Sequence, residues 1–83
     1  MQQMVMLLNM ISAVYPNPTK GMVRIEAENI KNVSVFNSLG QIIFENTANG
    51  DAFEYDFSGN EAGVYFIKVE TINGVDTKRV TVL

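Results

Sequence analysis

The 83-residue chain contains no cysteine, no histidine and no tryptophan, and it has only two prolines. Without cysteine it can form neither a disulfide nor a thiolate metal site, so the hydrophobic core alone must hold the fold. Without histidine it lacks the commonest general base and the commonest neutral metal ligand. These absences argue against an enzyme, and we expect no catalytic residue, no cofactor and no bound metal.

Charge is also sparse. Charged residues make up 18 % of the chain against 47 % hydrophobic ones, a balance that is typical of a folded domain. The six basic and nine acidic residues are spread along the sequence and give a net charge of −3. Such a distribution offers no basic footprint for nucleic acid or for an anionic membrane, and a chain of this length is expected to form one domain.

Residues 1–13 (MQQMVMLLNMISA) hold an apolar run from Met4 to Leu8. The run is far shorter than the roughly 20 residues that span a bilayer. No lysine or arginine precedes it, which disfavours a secretory signal peptide. We therefore expect residues 1–13 to be a lead-in or linker remnant of a longer parent chain, and residues 14–83 to form the domain.

Apolar and polar residues alternate along most of the chain after Gly21. Val23 and Ile25, for example, flank Arg24. A period of two is typical of a strand with one buried face. Together with Ile11 to Tyr15, the strand-like runs cover residues 22–28, 32–38, 41–45, 51–57, 63–71 and 75–83. The pattern predicts an all-β fold, a small immunoglobulin-like β-sandwich of about seven short antiparallel strands.

Turn residues lie between these runs. Asn73-Gly74 predicts a tight hairpin with positive φ at both residues, and Asn49-Gly50 is expected to act in a similar way. Ser38-Leu39-Gly40 predicts a tight link between two strands, and Ser58 to Gly63 predicts a longer surface crossing.

Asp51, Glu54 and Asp56 lie close together in sequence and raise the question of a calcium site. Glu54 and Asp56 would share the solvent face of one strand, and no D-x-D-x-D-G loop gathers ligands round one point. A solvated strand face is therefore favoured over a metal site.

The aromatic residues allow two interpretations. Tyr65 and Phe66, with Phe53, Tyr55 and Phe57 on the preceding strand, could form a stacking platform for sugar. In a small sandwich, alternating aromatic side chains are first of all core, because each stabilises the fold by roughly 1.5–3 kcal/mol when buried. Packing is the favoured interpretation, and exposure of Tyr55 and Tyr65 side by side would favour sugar binding.

Both prolines fall within the stretch VYPNPTKG, Val14 to Gly21, which we call the proline box. Each proline fixes its own φ and holds the residue before it extended, so Tyr15 and Asn17 are expected to be extended. Gly21 permits a turn at the end of the stretch. The proline box is thus expected to be a stiff segment that fixes how the chain enters the sandwich.

Four pieces in order resemble the C-terminal sorting domains of the type IX (Por) secretion system of Bacteroidota. They are VYPNPTKG, NVSVFNSLGQIIFE, DFSGNEAGVYFIKVET and TKRVTVL. Each piece alone is a weak signal, but their order and spacing together are specific. The resemblance covers the chain from about Val14 to Leu83.

The resemblance implies a non-catalytic sorting signal appended to a cargo protein. It implies recognition by an outer-membrane translocon and processing by a sortase-like cysteine protease, with passage through the periplasm to the outer-membrane surface or the medium. The positions that match the family motifs are Tyr15, Pro16, Asn17, Pro18, Gly21, Gly40, Gln41, Gly63, Tyr65, Lys78 and Arg79.

Two other functions stay open at the level of sequence. One is an adhesive or carbohydrate-binding module of a surface protein, and the other is a structural spacer. The last hairpin, Gly63 to Leu83, is also expected to supply a sheet edge that pairs with a partner or exchanges between two copies, giving a strand-exchanged dimer.

Overall fold

Alternating apolar and polar residues form strands along most of residues 10–83, the part of the chain that the computed structural model describes. No helix in this part is long and apolar enough to cross a bilayer. The strands are β1 (Ile11–Tyr15), β2 (Met22–Phe36), β3 (Ile42–Asp56), β4 (Gly63–Thr71) and β5 (Gly74–Val82). All named pairings are antiparallel.

The long strands β2 and β3 each contribute to both layers of a sandwich. The first half of β2 pairs with β1 and the second half with β4, while β3 follows β2 along its whole length. Phe44 and Phe53 show that β3 folds over on itself, because their ring centroids lie 5.9 Å apart. A straight strand would hold these two residues about 30 Å apart.

The predicted all-β sandwich is confirmed, but residues 10–83 form five strands rather than about seven. The predicted runs 22–28 and 32–38 are the two halves of β2, and the runs 41–45 and 51–57 are the two halves of β3. Bulges bend both strands without ending them, since pairing resumes on each side of the irregularity.

Asn49-Gly50 does not form the predicted turn, because both residues lie inside β3. Gly50 has φ 119° and pairs with Ile30, next to Asn29, which has φ 54°. The conformational freedom of glycine is used here to bend a strand rather than to reverse the chain.

The predicted hairpin between β4 and β5 is present, with its loop displaced by one residue. Thr71 pairs with Gly74, so Ile72 and Asn73 are the loop residues. Gly74 has φ 137°, but Asn73 is not among the described residues with positive φ. The Thr71 hydroxyl accepts a hydrogen bond from the Asn73 N–H at 3.0 Å, and this side chain to backbone bond replaces the expected Asn-Gly turn.

The core fills the space between the two layers with side chains from the inner faces of all five strands. Ile11, the first residue of β1, is already buried in the core, with 3 % of its surface exposed. β1 therefore includes residues on both sides of the domain boundary predicted at residue 14. The buried apolar residues are Ile11, Val23, Ile25, Ala27, Ile30, Val33, Val35, Phe57, Tyr65, Ile67, Val69, Val80 and Val82.

The sandwich has two different sides. On one side β1 and β5 are the edges of the two layers, and the Ile11 N–H donates to Asp76 Oδ2 across them at 2.9 Å. On the other side the two halves of β3 are the edges of both layers. The first side carries the candidate site.

Candidate functional site

The proline box includes the last two residues of β1 and the loop to β2, and this loop runs along the outer edge of β5. The Thr19 N–H donates to the Thr81 carbonyl at 2.9 Å, and the Leu83 N–H donates to the Thr19 carbonyl at 2.8 Å. Thr19 and Val82 form a parallel bridge. The proline box therefore covers the end of the last strand.

Asn17 extends this pairing with its side chain. Its Nδ2 donates to the Arg79 carbonyl at 2.9 Å, and its Oδ1 accepts from the Thr81 N–H at 3.0 Å. An amide side chain offers a donor and an acceptor side by side, as a peptide group does. Asn17 thus acts as a strand residue would, in a segment where proline has removed the backbone donor.

Thr19 is the buried centre of the proline box and was not among the predicted site residues. It is 2 % exposed, and its hydroxyl donates to the Met22 carbonyl at 2.7 Å and accepts from the Gly21 N–H at 3.0 Å. A threonine two residues before a glycine is a turn signal that could have identified it. The carbonyl of Gly21 then accepts from the Phe57 N–H at 2.9 Å, which fixes the box to the end of β3.

Tyr15 is the last residue of β1 and belongs to the proline box, where its ring is exposed next to Pro16. Its hydroxyl donates to Glu26 Oε2 at 2.8 Å, and Arg24 Nε lies 2.9 Å from the same oxygen. The hydrogen bonds from Arg24 and from Tyr15 lower the pKa of Glu26, and the hydrogen bond to Glu26 raises the pKa of Tyr15. Pro16 and Pro18, the next exposed residues, both follow cis peptide bonds.

Lys78 and Arg79 are neighbours in sequence but do not form one basic patch. Lys78 pairs with the buried residue Ile67, whereas Arg79 pairs with Phe66. Successive strand side chains point to opposite faces, so Lys78 lies on the core side of β5 and Arg79 on the outer side. Arg79 is exposed and Lys78 is half-buried.

Gly40 and Gln41 belong to the turn between β2 and β3. Gly40 has φ 83° and donates its N–H to the Asn37 carbonyl at 3.0 Å. Asn37 Oδ1 accepts from the N–H groups of Leu39 and Gln41, and Asn37 Nδ2 donates to Gln41 Oε1 at 2.8 Å. Asn37 organises this turn, and its position just before Ser-Leu-Gly is the sequence signal for such an Asx turn.

Gly63 and Tyr65 begin β4, and Gly63 pairs with Val82 near the chain end. The Tyr65 hydroxyl donates to the Glu61 carbonyl at 2.6 Å, and its ring packs on Phe57 with centroids 4.9 Å apart. Tyr65 is only 7 % exposed, so it does not form an open stacking platform with Tyr55. Its role is to hold the loop between β3 and β4 on the core.

The loop between β3 and β4 and the turn at Gly40 face each other across an open cleft of about 410 Å³. The cleft lies between Asn37–Leu39 on one side and Gly59–Tyr65 on the other. The predicted site residues therefore form two groups. Tyr15 to Gly21 meet Arg79 at the edge of β5, while Gly63 and Tyr65 line the cleft and Gly40 and Gln41 belong to the turn that borders it. Lys78 belongs to neither group.

The corner formed by the proline box and the end of β5 presents several exposed side chains. Within residues 10–83, no group of three histidine, cysteine, aspartate or glutamate side chains is placed to hold a metal ion. In the described residues, an arginine, a tyrosine and two prolines are exposed at this corner. The hydrogen bonds of the Asn17 side chain with the backbone of β5 hold the corner together.

Comparison with known proteins agrees with the resemblance seen in the sequence. The family model described as "Secretion system C-terminal sorting domain" matches residues 13–83. No curated protein matches the chain. Such domains are sorting signals of type IX secretion, which exports cargo across the outer membrane to the cell surface or the extracellular space. The predicted family is confirmed: the chain belongs to the C-terminal sorting domains of the type IX secretion system.

Proposed function

We propose that the domain is recognised through the corner where the proline box meets the end of β5. The observation that carries this proposal is the pair of hydrogen bonds by which Asn17 holds the backbone of Arg79 and Thr81. This contact joins the two motifs at opposite ends of the family sequence into one surface.

The exposure of the corner supports this assignment. Tyr15, Pro16, Asn17, Pro18 and Arg79 are all exposed. Proline fixes its own φ, so a surface segment with two prolines loses little conformational entropy on binding. Arg79 adds a fixed charge with several donors, since its backbone is held by Asn17. A partner can therefore read the corner only in the folded domain, where both motifs are adjacent.

Gly40, Gln41, Gly63 and Tyr65 have a supporting part in this proposal. They shape the turn and the loop that border the cleft, and Gly63 fixes the start of β4 against Val82. Lys78 lies on the core side of an edge strand, where an inward-pointing charge discourages unwanted strand pairing. Arg79 is thus the member of the basic pair that is available to a partner.

The wider role follows from the family. In our proposal the sorting domain is the predicted residues 14–83 together with Ile11–Ala13, which belong to β1, and the residues before them are the remnant of a linker to a larger cargo. The cargo passes through the periplasm, the outer-membrane translocon binds the folded domain, and a sortase-like cysteine protease processes it. The domain itself is non-catalytic, in line with a sequence that has no histidine or cysteine.

A strand-exchanged dimer through the last hairpin stays a prediction. Such an exchange would have to break the hydrogen bonds of Thr19 and Asn17 with residues 79–83. We therefore expect the monomer to be the recognised form.

The proposal is tested by fusing the whole chain to the C-terminus of a periplasmic reporter in a bacterium that has type IX machinery. Asn17→Ala and Arg79→Ala are expected to reduce the reporter at the cell surface. Their controls are Asn46→Ala, which makes the same change, and Lys31→Ala, which also removes one positive charge, both at exposed positions away from the corner. Equal surface display of all four folded variants would contradict the proposal.

A further inference from the structure

The outer edge of β3 is open in both layers of the sandwich. β3 pairs with β2 alone, and no other segment of residues 10–83 pairs with its outer edge. The strand is 15 residues long and bends between its two halves, so each layer of the sandwich has one half of this open edge. Open sheet edges present unpaired N–H and C=O groups, and an extended segment of another protein can pair with them.

The charges along β3 are all of one sign. The strand carries Glu45, Asp51, Glu54 and Asp56 and no lysine or arginine. Glu45 pairs with Ser34, Glu54 with Arg24 and Asp56 with Met22, positions that place these three carboxylates on the outer face. Glu54 has a basic neighbour, since Arg24 Nη1 lies 3.6 Å from its Oε2.

The inner face of the same edge is aromatic. Phe44, Phe53 and Tyr55 pack against the core but stay half-buried at this side of the sandwich. Phe44 lies between the other two, with ring centroids 5.9 Å from Phe53 and 4.9 Å from Tyr55. A strand added beside β3 would cover apolar surface with its inward side chains.

We infer that the β3 edge binds an extended segment of a partner protein in which apolar residues alternate with lysine or arginine. The period of a strand would place the apolar side chains beside the aromatic rings and the basic ones beside the carboxylates. A second copy of this chain is a poor occupant, because pairing two β3 edges would bring acidic side chains against each other. The surface lies on the side opposite the proline box and goes beyond the proposed function.

The test uses the whole 83-residue chain and a short fluorescent peptide of alternating lysine and valine. Fluorescence anisotropy measures binding, and a peptide with glutamate in place of lysine is the control. The basic peptide is expected to bind, to bind more weakly as salt rises, and to slow amide hydrogen exchange within β3. Equal binding of the two peptides, or exchange that slows only outside β3, would overturn the inference.

Charge reversal locates the site. Glu45→Lys combined with Glu54→Lys is expected to weaken peptide binding by about tenfold, since both carboxylates flank the edge. The matched control is Glu70→Lys combined with Glu61→Lys, which changes the same charge at exposed positions off β3. Equal weakening by the two doubles would overturn the assignment to β3, as would a dimer formed by the unmodified chain through this edge in sedimentation and hydrogen exchange.

If the charge reversal destabilises the fold, Glu45→Gln combined with Glu54→Gln gives the same comparison with smaller changes. We expect peptide binding to this variant to depend less on salt concentration than binding to the unmodified chain. The export assay separates the two proposals. Normal export of the Glu45 and Glu54 variants would agree with recognition through the proline-box corner. Whether the β3 edge binds an extended segment is decided by the peptide measurement alone.

Discussion

The two sides of the sandwich close in different ways. On the β1 and β5 side, backbone and amide hydrogen bonds from Asn17 and Thr19 cover the end of the last strand. On the β3 side, Phe44 and Tyr55 fill the gap between the layers, and the strand edge itself stays open. We call the β1 and β5 side the closed side and the β3 side the open side. Hydrogen bonds of fixed geometry hold the closed side together, whereas packing of apolar side chains stabilises the open side.

The difference teaches how a small domain without disulfides can hold its terminal strand. A C-terminal strand at a sheet edge would fray readily, because residues at the end of a chain have few neighbours. Here the proline box supplies partners for Arg79, Thr81 and Leu83. The strand that carries the last family motif is thereby kept in one conformation.

The largest effect is expected at Phe57, where the two sides meet. Its ring packs on Tyr55 at 4.7 Å and on Tyr65 at 4.9 Å, and it is fully buried. Phe57→Ala should lower the free energy of unfolding by about 3–5 kcal/mol, which is a large share of the stability of a small domain. Urea unfolding followed by circular dichroism measures it.

Phe53→Ala is the control for this prediction. Phe53 is half-buried at the open side, so its removal leaves a smaller cavity and should cost clearly less. A loss as large as that of Phe57→Ala would mean that the open side stabilises the fold as much as the centre does.

A smaller effect is expected from breaking the closed side. Asn17→Ala removes both hydrogen bonds to β5 and should lower the free energy of unfolding by about 1–2 kcal/mol. The Thr81 amide, which donates to Asn17 Oδ1, should exchange its hydrogen faster, and amides of β3 should not. Unchanged exchange at Thr81 would show that Asn17 does not hold the strand.

Tyr65→Phe tests the loop that borders the cleft. The change keeps the ring but removes the hydroxyl that donates to the Glu61 carbonyl, at an expected cost of about 1 kcal/mol. Tyr55→Phe is the matched control, because the Tyr55 hydroxyl donates to no described residue. A thermal melt in which both variants lose the same stability would contradict the role given to this hydrogen bond.

The smallest effect concerns pH. Hydrogen bonds from Arg24 and Tyr15 lower the pKa of Glu26, so the unfolded chain binds a proton at this carboxyl at a higher pH than the folded chain does. The resulting stability is present above the ordinary pKa of glutamate and is lost as pH falls through the lowered value. Glu26→Gln should make stability depend less steeply on pH below the ordinary pKa of glutamate, by a fraction of one proton.

The measurement is urea unfolding at a series of pH values. Glu28→Gln serves as the control, since Glu28 is an exposed neighbour on the same strand. The same change of slope in both variants would indicate that Glu26 gains nothing from Arg24 and Tyr15.

The sequence predicted the all-β sandwich and the last hairpin, because period-two alternation and turn residues are local signals. It could not separate two short strands from one bent strand, since the alternation on each side of Asn29 is the same in both cases. The sequence alone could have predicted that Lys78 and Arg79 lie on opposite faces of β5, because neighbouring side chains of a strand alternate between its two faces.

The sequence names residues of the candidate corner but not the contacts between them. Family motifs identify Asn17 and Arg79, but nothing local indicates that they touch across 62 positions of sequence. Such a contact depends on the path of every strand between them. Thr19 was missed because a threonine two residues before a glycine indicates a turn but does not indicate that the hydroxyl is buried.

The bond from the Leu83 N–H to the Thr19 carbonyl has a consequence for experiments on the chain end. Trimming the final residues also strips the loop after β1 of its partners, so a single cut disturbs two places. If a shortened chain is no longer exported, the cause could be the missing end of β5 or the disturbed loop after β1. Only replacement of individual side chains distinguishes these two causes.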